Sequence, residues 1–142
     1  MTINEIQDQI IQELSQIHDW LDKYNYLIGL GKQQPIHGNQ FRTDENSIAS
    51  CQSDVWISAE LKDEKIHFKA DSDSLILRGL LTLLIRVLNN QPPESVAFAD
   101  LYFLAETDLI THLSPSRVNG LRSIIKILKS YAAKYSANNG CP

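Results

Sequence analysis

Cysteine is nearly missing from this chain, with Cys51 and Cys141 the only two among 142 residues. Two cysteines do not build a disulfide framework, which points to a reducing cytoplasm rather than to a secreted scaffold. There is no Cys-x-x-Cys pair, and His18, His37, His67 and His112 are scattered. Neither a dithiol redox motif nor a zinc site is therefore expected. Positive charge is also short: 13 lysines and arginines stand against 17 acids, a net charge of −4. That balance argues against a nucleic-acid binder, which would carry a basic face, and plain solubility accounts for it. Long apolar runs are lacking too. The longest, Leu75 to Leu88, is interrupted by Arg78 and Arg86 and is too short to span a membrane. The N-terminus is polar and acidic, so no secretory signal is expected. There is no internal repeat and no low-complexity segment.

What is present is an ordinary globular composition, 43% hydrophobic and 21% charged, which excludes a disordered chain. The length predicts one domain, over residues 1–135, with a flexible tail over 136–142 that leaves Cys141 an incidental thiol.

Apolar residues at Ile3, Ile6, Ile10, Leu14, Ile17, Leu21, Tyr24 and Ile28 step by three and four along one helical face. Asp19 followed by Trp20, Leu21 and Asp22 reads as a fresh cap, so two helices with a break near Gln16–Asp19 are expected. Gly29 and Gly31 are expected to end the second, with Pro35 barring its continuation. A two-chain coiled coil is the rival for this stretch. Residues 32–50 form a long polar connection. Val55–Leu61 and Ile66–Ala70 read as an antiparallel hairpin turning over Lys62-Asp63-Glu64-Lys65. A third short strand before Cys51 is conceivable, but no pattern marks it.

Ser72 or Asp73 is expected to cap a helix over Ser74–Asn89 whose apolar residues lie on almost every side, as in a helix buried mid-domain. Arg78, Thr82 and Arg86 form its one polar stripe. Pro92-Pro93 stops it and opens a short helix over Glu94–Ala99, with another weakly marked near Leu101–Thr107. Ser114-Pro115 starts a last helix to about Tyr135, with Val118, Leu121, Ile125, Leu128, Ala132 and Tyr135 toward the core. The fold class is α+β: a small antiparallel sheet of two or three strands packed against several helices.

Cys51 falls in Asn46–Ile57, N-S-I-A-S-C-Q-S-D-V-W-I, on a polar loop that ends as a strand begins. Functional residues concentrate on such loops. A buried structural cysteine is the rival, but Ser50, Gln52 and Ser53 make poor surroundings for one.

Four blocks occur in order: W-L-D-K-Y-N-Y-L-I-G-L-G-K at Trp20–Lys32, the Cys51 stretch, D-S-D-S-L-I-L-R-G-L-L at Asp71–Leu81, and H-L-S-P-S-R-V-N-G-L at His112–Leu121. Together they resemble the SufE family of sulfur-acceptor proteins over nearly the whole chain. The resemblance implies a fold like that of the IscU-type iron–sulfur scaffolds. It implies a partner cysteine desulfurase, SufS, which holds the pyridoxal phosphate, so this chain needs no cofactor of its own. It implies that sulfur is accepted as a persulfide and passed to the SufBCD scaffold. Cys51 matches the acceptor cysteine, Arg117 the arginine of the S-R motif, and Asp73 the acid facing the loop. The family commonly has glycine just before the cysteine, where this chain has Ala49-Ser50, and serine reaches positive backbone angles only at a cost. A CsdE-like branch serving another desulfurase is the alternative within the family.

The chemistry suits a lone thiol. Persulfide transfer is attack by a thiolate on a sulfur brought by the partner, and one cysteine cannot supply the thiolates of a cluster. A carrier must also shield its cargo from oxidation, so Cys51 is expected to tuck against apolar residues until docking. Arg117, in the first turn of the last helix, would favour an anionic sulfur, or else pair with a surface acid. Asp73 at a helix start is stabilising without any further role. His112 is the histidine that would approach Cys51, and a capping or structural role is its rival. A second class of function is a cysteine-nucleophile enzyme with Cys51 attacking, His112 as base and Asn119 orienting it. A helical interaction module is the third. Dimerisation stays open.

Overall fold

The computed structural model describes residues 1–33, 42–48 and 54–140. Helix α1 (Ile3–Ser15) begins at a capping box. The Thr2 hydroxyl accepts from the Glu5 N–H at 3.1 Å, and the Glu5 carboxylate accepts from the Thr2 N–H at 3.1 Å, so two otherwise orphaned donors are paired. It buries Ile3, Gln7, Ile10 and Leu14. Helix α2 (Trp20–Gln33) starts where Asp19 accepts from the Leu21 N–H at 3.2 Å. The expected break between two helices is therefore found.

The expected end of α2 is not. The helix runs through Gly29 and Gly31 to Gln33. Neither glycine stops it, and at Gly31 the missing side chain serves packing. A Cβ there would collide with the Leu75 carbonyl oxygen of α3 (Leu75–Leu88) and lie 3.2 Å from the Arg78 Cβ. Across the same crossing, a Cβ on Gly79 would overlap the Leu27 carbonyl oxygen and sit 2.7 Å from its carbon. The two glycines let the helices meet backbone to backbone. Because the obstacle at Gly79 is main chain, no rotamer change relieves it. Gly79→Ala is expected to lower stability by about 3 kcal/mol, read as a shift in the urea midpoint.

The sheet is three antiparallel strands in the order β1 (Ser47–Ile48), β2 (Val55–Lys62), β3 (Lys65–Ser72). The third strand is thus real but only two residues long, too short to leave a periodic mark. Val55 and Ile57 of β2 and Ile66, Phe68 and Ala70 of β3 are buried, so one face alternates into the core. The hairpin turns on Asp63 and Glu64, both with positive φ, 53° and 64°. That is the backbone a two-residue hairpin loop demands, and glycine is its usual occupant. Glu64→Gly is expected to raise stability by up to about 1 kcal/mol, measured by thermal unfolding.

Helix α3 follows β3 and forms the middle of the core, with nine buried residues from Ile76 to Leu88. Its cap is Ser74, whose hydroxyl accepts from the Leu77 N–H at 3.4 Å, and not Ser72 or Asp73 as expected. Those two side chains are engaged elsewhere. The polar stripe of α3 is used for contacts rather than left to water: Arg86 pairs with Glu13 of α1 at 2.7 Å, and Arg78 with Asp71 at 3.3 Å. Short helices α4 (Pro93–Ala97) and α5 (Phe103–Glu106) lead to α6 (Pro115–Gly140), which continues past the expected end near Tyr135. Its deepest residues are Leu121, Ile124, Leu128 and Ala132, so Ile124 takes the core position expected of Ile125.

Buried Gln7 ties the α4–α5 segment to α1. Its amide donates to the Asp100 carbonyl at 2.9 Å and accepts from the Phe103 N–H at 3.1 Å, so a polar side chain at the core is satisfied at both ends. Tyr135 of α6 donates to the Ala59 carbonyl of β2 at 3.0 Å. Among the described residues no helix is long and apolar enough to cross a membrane.

Candidate functional site

Cys51 and residues 49–53 lie outside the described residues. The expectation that the thiol tucks against apolar side chains falls on those residues, as does the Ala49-Ser50 departure from the family glycine. The two ends of that connection are described. On one side, Ile48 is registered against Val55 and Ser47 against Trp56, and the Ile57 N–H donates to the Asn46 carbonyl at 2.7 Å. On the other, the Asp54 carbonyl accepts twice, from the Ser72 hydroxyl at 2.8 Å and from the Asp73 N–H at 3.2 Å. The chain enters and leaves the Cys51 segment at the same end of the sheet.

An ionic cluster sits at that end. Asp71, at the close of β3, is 1% exposed. One carboxylate oxygen accepts from Arg42 Nε at 3.0 Å. The other accepts from the Ser72 N–H at 2.8 Å and lies 3.3 Å from Arg78 Nε. Arg42 forks: its Nη1 donates to Asp73 at 2.8 Å. Its guanidinium carbon also lies 4.4 Å from the centre of the Trp56 ring, within cation–π range. Trp56 is the register partner of Asp71, so the arginine covers a cross-strand pair. The hydrogen bond to Asp71 is the largest cause raising the Arg42 pKa, with burial opposing it.

The result is a clasp. Arg42, on the chain leading into the Cys51 segment, is held by two acids, one closing β3 and one just after it. Arg78 of α3 backs the buried one. Asp73 is the half-exposed outer arm of this clasp. Asp71, Arg42 and Arg78 were not anticipated.

Arg117 and His112 lie together near the start of α6, not in the clasp. Ser114 caps α6, its hydroxyl accepting from the Arg117 N–H at 3.3 Å. Among the described residues no ion pair includes Arg117. His112 is stacked on Trp20, ring centres 4.5 Å apart and 19° between planes, with Tyr24 edge-on to Trp20 at 6.5 Å. Its ring is thus occupied by packing at the N-terminus of α2, and among the described residues no hydrogen bond joins it to Asn119. Among the described residues no group of three or more histidines, cysteines and acids is arranged to hold a metal ion.

Comparison with known proteins agrees with the resemblance seen in the sequence. The family model SufE, described as an Fe-S metabolism associated domain, matches residues 8–132. An uncharacterized SufE-like protein of Rhizobium meliloti (strain 1021) is 35% identical over 130 residues, covering 88% of this chain and 93% of that one. A second uncharacterized SufE-like protein, from Rhizobium etli, is 35% identical over 130 residues, covering 88% of each. The solution structure of a hypothetical protein from Thermus thermophilus superposes with a TM-score of 0.75 over 93% of this chain and 96% of that one, at 16% identity. The α+β architecture is shared with it.

Proposed function

Because this chain belongs to the SufE family, whose domain is associated with Fe–S metabolism, we propose that it is a covalent sulfur carrier with Cys51 as acceptor. The observation that supports this most is positional. Cys51 is the sole cysteine within residues 8–132, the span of the family match, and both chain segments that lead to it are hydrogen-bonded to one end of the sheet.

The step is redox-neutral. The Cys51 thiolate attacks the outer sulfur of a persulfide held by a pyridoxal-phosphate cysteine desulfurase of the SufS type. A new S–S bond forms at Cys51, the old one breaks, and the desulfurase cysteine leaves as thiolate. The persulfide on Cys51 is then surrendered by the same exchange to a SufBCD-type scaffold. By draining the desulfurase of its sulfur, the carrier stimulates it. The chain is an activator and shuttle rather than an enzyme with its own turnover, and it works in a reducing cytoplasm. Arg117 and His112 supply cationic and polar character near the docking face, and Asp73 with Arg42 holds the approach to Cys51.

Mass spectrometry tests the transfer. After incubation with a cysteine desulfurase, pyridoxal phosphate and free cysteine, the peptide containing Cys51 is expected to be heavier by whole sulfur atoms. Added sulfur found on Cys141 instead, or none at all, would overturn the assignment.

A further inference from the structure

One concavity of the described surface lies far from the clasp. It is a groove of about 800 Å³ between the start of α1 and the α4–α5 segment, lined by Ile3, Pro92, Phe98, Ala99 and Tyr102 among others. It lies at the opposite end of the sheet. Gln91 on its wall bridges Ile66, near the hairpin turn, whereas the Cys51 segment leaves beside Ser72. Six residue steps along β3, from Ile66 to Ser72, separate the two, roughly 20 Å.

Two independent features mark this groove. The first is Phe98. It is 82% exposed, at the C-terminal end of α4. Solvating a whole phenyl ring forgoes about 1.5–3 kcal/mol relative to burying it, and here the ring lines a concavity whose wall mixes apolar side chains (Ile3, Pro92, Ala99) with polar ones (Asn4, Gln91, Ser95). The second is charge. Residues 1–22 carry Glu5, Asp8, Glu13, Asp19 and Asp22, residues 87–116 carry Glu94, Asp100, Glu106 and Asp108, and neither stretch contains a lysine or arginine. Glu5 and Asp100 line the groove itself, against one cation there, the Met1 α-ammonium. None of Glu5, Asp8, Glu94, Asp100 or Glu106 is in an ion pair among the described residues. Tyr102 on the groove wall is tied to one of these acids: its hydroxyl donates to Asp8 at 2.8 Å, and that bond is the largest cause pushing its pKa up to about 12, ahead of burial and the nearby carboxylate charges.

We propose that this groove docks a basic segment of a partner protein, with an apolar side chain of that segment seated against Phe98 and lysines or arginines facing the carboxylate rim. Aromatic anchors surrounded by complementary charge are how short segments gain both affinity and orientation. Because the groove and the described residues flanking the Cys51 segment, Ile48 and Asp54, lie at opposite ends of the sheet, a partner held here does not cover those flanks. This docking is separate from sulfur transfer and does not rest on it.

The test is an NMR titration of the isotopically labelled full chain with a short amphipathic peptide of lysine and leucine, and with its glutamate–leucine counterpart. The lysine peptide is expected to shift amide signals of residues 2–5 and 95–102, and the glutamate peptide none. Phe98→Ala, which alters only an exposed ring, is expected to weaken binding about ten-fold. Asp100→Lys is expected to do likewise, and added salt to weaken binding further. Cys51→Ser is expected to bind as the wild type does, which separates this surface from the sulfur-transfer assignment. The proposal is overturned if the lysine peptide does not bind, if its largest shifts fall elsewhere, or if Phe98→Ala binds undiminished. It is also overturned if the wild type self-associates through Phe98, with the basic helix α6 of a second copy filling the groove.

Discussion

Cys51→Ser is expected to reduce desulfurase turnover in the presence of the protein to the rate of the desulfurase alone. Alanine release from free cysteine would be the readout. The argument is one of nucleophilicity. A thiol is partly ionised near neutral pH and its thiolate is intrinsically reactive, whereas a hydroxyl is a weak nucleophile unless a base activates it. Serine also has no sulfur with which to form the S–S bond that carries the cargo. No second cysteine within residues 8–132 can substitute. The exchange replaces one atom with a smaller one, and the variant is expected to unfold at the wild-type temperature and still to bind the desulfurase. Undiminished stimulation by Cys51→Ser would refute the carrier role.

The second large effect is on stability. Asp71→Ala is expected to lower the unfolding free energy by about 3–5 kcal/mol, the range for removing one partner of a buried ion pair. The carboxylate side chain is 2% exposed, and Arg78, at 14%, is largely withdrawn from water. Without Asp71 two guanidinium groups would share the site with no buried counter-charge. Asp73→Ala should behave quite differently. Its side chain is 51% exposed and meets only the outer fork of Arg42, a surface pair that contributes up to about 1 kcal/mol. The ordering is the test, read by urea denaturation: if the two variants cost the same, Asp71 is not the keystone of the clasp. The consequence reaches the thiol as well. Asp71 holds Arg42, which precedes Cys51, and sits beside Ser72, which holds Asp54 behind it. Slower sulfur acceptance by Asp71→Ala at temperatures where it remains folded is the accompanying expectation.

The contrast between Asp71 and Asp73 also shows where the sequence is legible. Helix periodicity, the Asp19 and Ser114 starts and the Lys62–Lys65 turn are local signals, and each corresponds to an observed element. The Asp-Ser-Asp block holds both acids of the clasp, but of the two only the outer one looks like a helix cap. Strand alternation in β3 puts Asp71 on the face opposite Ala70 and Ser72, where exposure is the default. It is buried only because Arg42 and Arg78 cover it, and a pairing across 29 residues of sequence leaves no periodic trace. The glycines mislead for a related reason. Seen alone, Gly31 after an apolar run is a stop. That it is instead a point of helix contact depends on Leu75 of α3, which a one-dimensional pattern cannot bring near.

The shortness of β1 has a consequence for the chain in company. Beyond Ile57 the outer rim of β2 has no strand beside it among the described residues, and open rims of this kind are where neighbouring chains knit together into aggregates. Here the phenol of Tyr135 occupies the Ala59 carbonyl, while Glu60 and Lys62 set charges along the same margin. Helix α6 thus covers part of that margin, and a chain truncated ahead of Tyr135 is expected to aggregate more readily than the full chain, read by light scattering.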